Sequence, residues 1–118
     1  LIDSAPLFTT ELEQVLKAAQ LVILPVRESL HSLRGALAVI KITAAPCKAL
    51  PFFATDGSDL TKLIAAELNL IDGAISIAPE VLAAEAKTIS VLTDNKNSVI
   101  AQQYRDAAYS MLEELKIF

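Results

Sequence analysis

The sequence has no tryptophan, one histidine and one cysteine, and these scarcities limit the chemistry available to the chain. Because Cys47 has no second cysteine to pair with, an internal disulfide is excluded, and we expect a reducing cytoplasm as the compartment. His31 has no second histidine or cysteine at ligand spacing, so a metal cluster is disfavoured. We interpret His31 as an ordinary imidazole, and Cys47, beside Lys48, as a residue of either packing or chemical role.

A phosphate-binding loop is also missing. Gly35, Gly57 and Gly73 are isolated from one another, and no G-x-x-x-x-G-K-[ST] pattern occurs. A phosphate cradle needs consecutive backbone N–H groups that converge on one anion, together with a lysine that reaches the outer phosphates. No G-x-S-x-G elbow surrounds a serine either. We therefore assign no residue of this chain to catalysis.

Long hydrophobic runs and a basic surface are lacking as well. Residues 21–26 form an apolar run that ends at Arg27 and Glu28, well short of the ~18 residues that cross a bilayer. The formal net charge is −4, and the scattered lysines give no basic field of the kind that supports non-specific DNA binding. These features disfavour a membrane partner and give no support to DNA binding by this segment alone.

What the chain does have is aliphatic residues. Hydrophobic residues make up 53% of the sequence and aromatic ones only 5%, and the mean hydropathy is +0.48. Such a surplus suits a parallel sheet that is buried on both faces. We therefore predict one α/β unit over residues 1–118, with an open, mostly parallel sheet flanked by helices.

Strands and helices are predicted to alternate along the chain. Helix caps are expected at Thr10 (with Glu13, a T-x-x-E capping box), Ser29 and Ser58. Pro51 lacks an N–H and so indicates an edge strand or a strand start. The predicted strands cover residues 1–3, 21–26, 50–54 and 74–77, with a short extended segment at 89–92, and the predicted helices begin near residues 10, 29, 60, 79 and 98.

Asp3 is the candidate metal-facing carboxylate. It follows an apolar pair and precedes a small-small-proline turn that ends at Pro6. This is how nucleotide-binding α/β proteins deliver an Asp to the carboxyl edge of a parallel sheet, where it can meet a magnesium-bound water. The alternative is that Asp3 caps a turn ahead of Pro6.

Several short motifs recur in order along the chain, and together they resemble the second half of the ParA/MinD family of deviant-Walker ATPases. They are I-D-S-A-P at residues 2–6, P-V at 25–26, S-L at 29–30, I-A-P-E at 77–80, E-A at 85–86 and S-x-x-A-x-x-Y at 98–104. Bacterial tyrosine kinases share the first of these motifs, but they resemble only the first half equally well, because they do not normally carry this tail. The tail, residues 112–118, is too acidic and short for the basic membrane helix of the MinD branch, so the resemblance favours the ParA branch.

The resemblance implies part of a doubly wound, P-loop NTPase-like fold that lacks the N-terminal phosphate-loop half, either as a fragment or as a relative that lost that half. In the intact family protein ATP and Mg²⁺ are the cofactors, and we expect neither to bind tightly to this chain alone. Asp3 would contact the magnesium shell. The residues that would border adenine and ribose are Thr55, Ile77, Ala78, Pro79, Glu80 and Val81. Where the family commonly has an asparagine that reads adenine, this chain has Thr55 and Asp56, which leaves adenine selectivity open.

The function implied by the resemblance is plasmid or chromosome partition through ATP-dependent dimerisation. The implied partners are a second copy of the chain (a homodimer) or the missing N-terminal half, a partition partner protein, and non-specific DNA in the intact dimer. A different class of function also fits the residues. It is a non-catalytic interaction module that associates through its exposed sheet and through the face carrying Arg27, Arg34 and His31.

Overall fold

The computed structural model describes residues 1–4, 9–53 and 57–117. It confirms the α/β class, since helices and parallel strands alternate along the chain. In chain order the elements are α1 (Thr10–Ala18), β1 (Val22–Arg27), α2 (Leu30–Ile42), β2 (Cys47–Phe52), α3 (Asp59–Glu67), α4 (Pro79–Ala86), α5 (Val91–Asp94) and α6 (Val99–Glu114).

The sheet of the described residues has two regular strands. β1 and β2 run parallel, with Val22 opposite Cys47 and Arg27 opposite Phe52, and α2 connects them as a crossover helix. This is a β-α-β unit, the smallest element of the predicted sheet. A full open sheet is not formed by the described residues.

A third segment, residues 69–75, continues the sheet on the far side of β2. Isolated parallel bridges join Ala49 to Leu70 and Phe52 to Ile75. The backbone N–H of Ala49 donates to the carbonyl of Asn69 at 2.7 Å, and the Ile75 N–H donates to the carbonyl of Pro51 at 2.8 Å. β2 is therefore central, which corrects the expectation that Pro51 marks an edge strand or a strand start.

The central position of Pro51 interrupts the pairing between β2 and the 69–75 segment. A regular ladder would need its N–H to donate to the segment beside it, and proline has none. The 69–75 segment leaves β2 after Ile71 and returns at Ile75, and between them Gly73 adopts a φ of 122°. The hydroxyl of Ser110 holds this bulge by donating to the carbonyl of Asp72 at 2.6 Å. The predicted strand over 74–77 is thus reduced to one bridge at Ile75.

Helices cover both faces of the sheet, and two groups of buried side chains fill the space between. Successive residues of a strand point to opposite faces, so Leu24 and Val26 pack on one side and Ile23 on the other. The α2/α3 side holds Val26, Leu33, Ala36, Ala49, Ile64 and Leu68. The α4–α6 side holds Leu50, Ile71, Ile75, Ala84, Val91, Ile100 and Ala107.

Three further predicted details differ from the structure. The N-cap of α1 is Thr9, whose hydroxyl accepts from the Leu12 N–H at 3.2 Å, one residue before the predicted cap. The extended segment predicted at 89–92 is replaced by α5, which begins because the Ser90 side chain accepts from the Leu92 N–H. Residues 1–4 form no strand, and Leu1 and Ile2 are exposed.

None of the described helices combines the length and the apolar character that a crossing of the bilayer requires.

The packing of α3 generates a stability prediction. Ile64 is fully buried between α3 and the sheet, whereas its neighbour Leu63 is 42% exposed. We expect Ile64→Ala to lower the free energy of unfolding by about 2–5 kcal/mol, because it leaves a cavity in the core. Leu63→Ala, in the same helix, should cost less than about 1 kcal/mol. Urea unfolding followed by circular dichroism measures both, and equal losses would contradict the assigned face of α3.

The glycines give a second prediction, in which one substitution has opposite effects at two positions. A Cβ at Gly35, in α2, would meet no atom within 4 Å, so Gly35→Ala should raise stability by roughly 0.5–1 kcal/mol through helix propensity. Gly73→Ala forces a side chain onto a positive φ and should lower stability by about 1–3 kcal/mol. Thermal melts of the two variants would contradict the bulge at Gly73 if both shifted upward.

Candidate functional site

The loops that follow the parallel strands lie at one edge of the sheet. Glu28 and Ser29 follow β1, Phe53 follows β2, and residues 76–78 follow the bridge at Ile75. In open parallel sheets ligands bind outside the carboxyl ends of the strands. The last of these loops leads directly into α4, and it borders a cavity at this edge.

A side-chain amide from α6 holds this loop in place. The N–H of Ser76 donates to Oε1 of Gln103 at 2.8 Å, and Nε2 of Gln103 donates to the hydroxyl of Ser76 at 2.8 Å. A carboxamide can do this because it carries a donor and an acceptor side by side. Gln103 thus fixes the direction in which the chain leaves the sheet.

The loop and the beginning of α6 border an open depression of about 460 Å³, which we call the polar cavity. This volume lies within the range of small-molecule sites, ~300–1,000 Å³. Its lining residues are Ser76, Ala78, Glu80, Asn95, Asn97, Ser98, Val99, Ile100 and Gln103.

The cavity is rich in hydrogen-bonding groups of both kinds. The carboxamides of Asn95 and Asn97 carry donors and acceptors, and Glu80 adds a half-buried carboxylate. Ser98 caps α6, since its Oγ accepts from the Ala101 N–H at 3.2 Å and donates to the Asn95 carbonyl at 2.7 Å. A cavity of this composition suits a neutral polar ligand that offers several donors and acceptors. The carboxylate of Glu80 would repel an anion.

The predicted residues of the 77–81 segment occupy three kinds of position: lining the polar cavity, packed against the core, or exposed at the surface. Glu80 and Ala78 line the polar cavity, whereas Val81 packs against the core on the α4–α6 side. Ile77 is 70% exposed at the surface. Pro79 is exposed and is the first residue of α4, as expected from its fixed φ. Thr55 lies outside the described residues, as does Asp56.

Asp3 lies away from this group of residues. Its neighbours Ile2 and Ser4 border an apolar groove that is also bordered by Met111 and Leu115, near the end of α6. The polar cavity lies at the beginning of α6, a helix of 16 residues that is about 24 Å long. Asp3 is exposed, and the described residues contain no group of three or more His, Cys, Asp or Glu side chains that could hold a metal ion. The metal role of Asp3 stays a prediction.

The other reactive residues are separate from the polar cavity. Arg27, His31 and Arg34 are exposed around the beginning of α2, where Ser29 is the N-cap as predicted. Burial raises the pKa of the Cys47 thiol, because desolvation disfavours the thiolate. Its Sγ lies 3.6 Å from the carbonyl of Ala45. A raised pKa disfavours Cys47 as a nucleophile and favours the packing role.

Sequence reasoning missed the residues that shape the polar cavity from α6 and the turn before it. Gln103 lies 27 residues from Ser76, and no local pattern links two residues at that separation. Asn95 and Asn97 could have been suspected, since asparagines in a turn beside a predicted helix start often bind through their side chains or cap the backbone.

The chain was compared with known proteins. No protein-family model matches it, and neither a curated protein nor a solved structure does so.

The Gln103 contact gives a third prediction. Gln103→Ala should speed hydrogen exchange at the Ser76 amide and lower stability by about 1 kcal/mol, because both hydrogen bonds to Ser76 are lost. The matched control is Gln102→Ala, which removes only a surface hydrogen bond to Asp106 and should leave Ser76 exchange unchanged. If the two variants exchange alike at Ser76, the amide of Gln103 does not hold the loop.

Proposed function

We propose that the chain is the C-terminal part of a ParA-like ATPase, acting in plasmid or chromosome partition, and that its polar cavity receives the base and ribose of a nucleotide. The observation that carries this proposal is the position of the cavity. It lies beyond the bridge at Ile75, on the carboxyl side of the parallel segments, where α/β proteins bind nucleotides.

The chemistry of the cavity supports the base and ribose rather than the phosphates. Asparagine and glutamine carboxamides match the donor and acceptor edges of a nucleobase, and Glu80 can accept from ribose hydroxyls. The same carboxylate disfavours a phosphate at this position. The phosphates would then belong to the glycine-rich loop that the sequence lacks, in an open sheet larger than the one described.

The element order is consistent with the proposal. β1, α2, β2, α3 and the 69–75 segment follow one another as repeated crossover units with parallel pairing. The S-x-x-A-x-x-Y motif has a structural reason as well. Ser98 caps α6, Ala101 is fully buried, and Tyr104 packs against the core. The motif therefore supports the family only together with the others.

An NMR titration of the ¹⁵N-labelled chain tests the proposal, with adenosine, ATP and GTP as separate probes. We expect adenosine and ATP to shift the amide signals of residues 76–80 and 95–103, with similar dissociation constants near 1 mM, about −4 kcal/mol, because no phosphate contact is made. Asn97→Ala should weaken adenosine binding by about three- to tenfold through a lost hydrogen bond.

The matched control is Asn69→Ala, since Asn69 is an exposed asparagine that does not line the polar cavity. It should bind adenosine as the wild type does. Signals that stay unchanged at saturating adenosine, or that move only elsewhere in the chain, would overturn the assignment of the cavity. Equal shifts with GTP would retain the nucleotide site and remove adenine selectivity.

The second candidate function, a non-catalytic interaction module, is favoured by one specific feature. The apolar groove beside β1, at the far end of α6, is lined by Leu1, Ile2, Leu12, Val15, Leu21, Ile23, Met111 and Leu115 among others. The described lining includes no charged side chain, which is typical of a surface that binds protein.

A further inference from the structure

The two hydrogen bonds between Gln103 and Ser76 fix the polarity of the Ser76 hydroxyl. The backbone N–H of Ser76 can only donate, so the amide atom that it meets at 2.8 Å must be the oxygen, Oε1. The other end of the carboxamide is therefore the nitrogen, Nε2, which donates to Oγ of Ser76 at 2.8 Å. In this contact the hydroxyl oxygen is the acceptor.

An oxygen that accepts from Nε2 cannot direct its own hydrogen at the same atom. The hydroxyl hydrogen of Ser76 must then be donated in another direction. Within residues 1–4, 9–53 and 57–117, the hydrogen bonds of Ser76 to Gln103 leave this hydrogen without an acceptor. Ser76 is exposed and lines the polar cavity. The hydrogen is therefore available to a molecule that occupies the cavity.

Glu80 gives the same cavity a group of opposite polarity. Its side chain lines the cavity and is half-buried, and an ionised carboxylate can only accept. A ligand that satisfies both residues offers an acceptor to Ser76 and a donor to Glu80. A nucleoside meets this requirement, because its base carries unprotonated ring nitrogens and its ribose carries hydroxyl groups.

We propose that Ser76 determines the specificity of the polar cavity by donating its hydroxyl hydrogen to an unprotonated ring nitrogen of the base, and that Gln103 is the positioning residue that holds the hydroxyl in this orientation. The inference rests on the proposed nucleotide site. It adds what the site requires of the base, which is a lone pair, rather than an N–H or a C–H, at the position that Ser76 meets.

Analogues of adenosine in which N1, N3 or N7 is replaced by C–H test the donor. NMR titrations compare adenosine with each analogue, on the wild-type chain and on Ser76→Ala. For the wild type, we expect one analogue to bind about three- to tenfold more weakly than adenosine, because its C–H cannot accept the hydrogen bond. In Ser76→Ala adenosine should weaken by a similar factor, and the difference between adenosine and that analogue should disappear.

Gln103→Glu tests the positioning role separately from the support of the loop. A carboxylate still accepts from the Ser76 N–H, but it has no hydrogen for the hydroxyl, so the Ser76 O–H turns and donates to it. The Ser76 amide should therefore exchange its hydrogen as slowly as in the wild type. Adenosine binding should fall at least as far as in Ser76→Ala, because a hydroxyl lone pair now faces the ring nitrogen.

The matched control is Gln102→Glu, which adds the same charge one residue away. Gln102 does not line the polar cavity, and its side chain donates to Asp106 at the surface. This variant should bind adenosine as the wild type does. Wild-type affinity in Gln103→Glu, or fast exchange of its Ser76 amide, would overturn the positioning role of Gln103.

The possible results separate this inference from the proposed function. If adenosine leaves the signals of residues 76–80 and 95–103 unchanged, the nucleotide site fails, and the role of Ser76 fails with it. If adenosine binds there but every analogue keeps the same affinity relative to adenosine in the wild type and in Ser76→Ala, the nucleotide site stands and Ser76 is not the donor. Circular dichroism melts of the variants confirm that each is folded.

Discussion

The hydrogen bonding of β2 along both of its edges is the constraint on which the rest of the structure depends. β1 occupies one edge and the 69–75 segment the other, and α2 and α3 cover one face of the resulting sheet while α4–α6 cover the other. Val26, Ala49 and Ile64 pack on one face, and Leu50, Ile75 and Ile100 on the other. Each face buries apolar surface only because the central strand holds its neighbours in parallel register.

Local signals in the sequence were sufficient to predict where most helices begin. Ser29, Ser58 and Ser98 each accept a hydrogen bond from a backbone N–H three residues later, so their capping roles can be recognised within one turn of sequence. The sheet was harder to predict. β2 begins at Cys47, before the apolar run that suggested it, and the central position of Pro51 depends on a bulge around Gly73 that forms against α6.

The polar cavity shows the same division between local and distant information. The start of α4 at Pro79 follows from the conformation of proline and was predicted. The contact of Gln103 with Ser76 joins residues that are close only after the sheet and α6 have packed. A sequence can therefore indicate that the 77–81 segment follows a strand, while the other groups that line the polar cavity are brought there by long-range packing. For the same reason the sequence could not show that Asp3 lies away from the polar cavity. A short motif carries no information about which edge of the sheet its chain segment reaches.

The attachment of the 69–75 segment to α6 has a consequence for how the chain folds. Ser110 binds the bulge at Asp72, and Gln103 binds the loop at Ser76, so two side chains of one helix hold both ends of the irregular part of this segment. Regular strands can pair as soon as their neighbours are present, but this segment needs contacts with residues some 27 to 38 positions later in the chain. Such distant contacts form late, after the entropy of closing the intervening loop has been lost. The β1-α2-β2 unit can therefore assemble before the final helix docks, whereas the bulge at Asp72 and the loop at Ser76 gain their side-chain hydrogen bonds only with α6 in place.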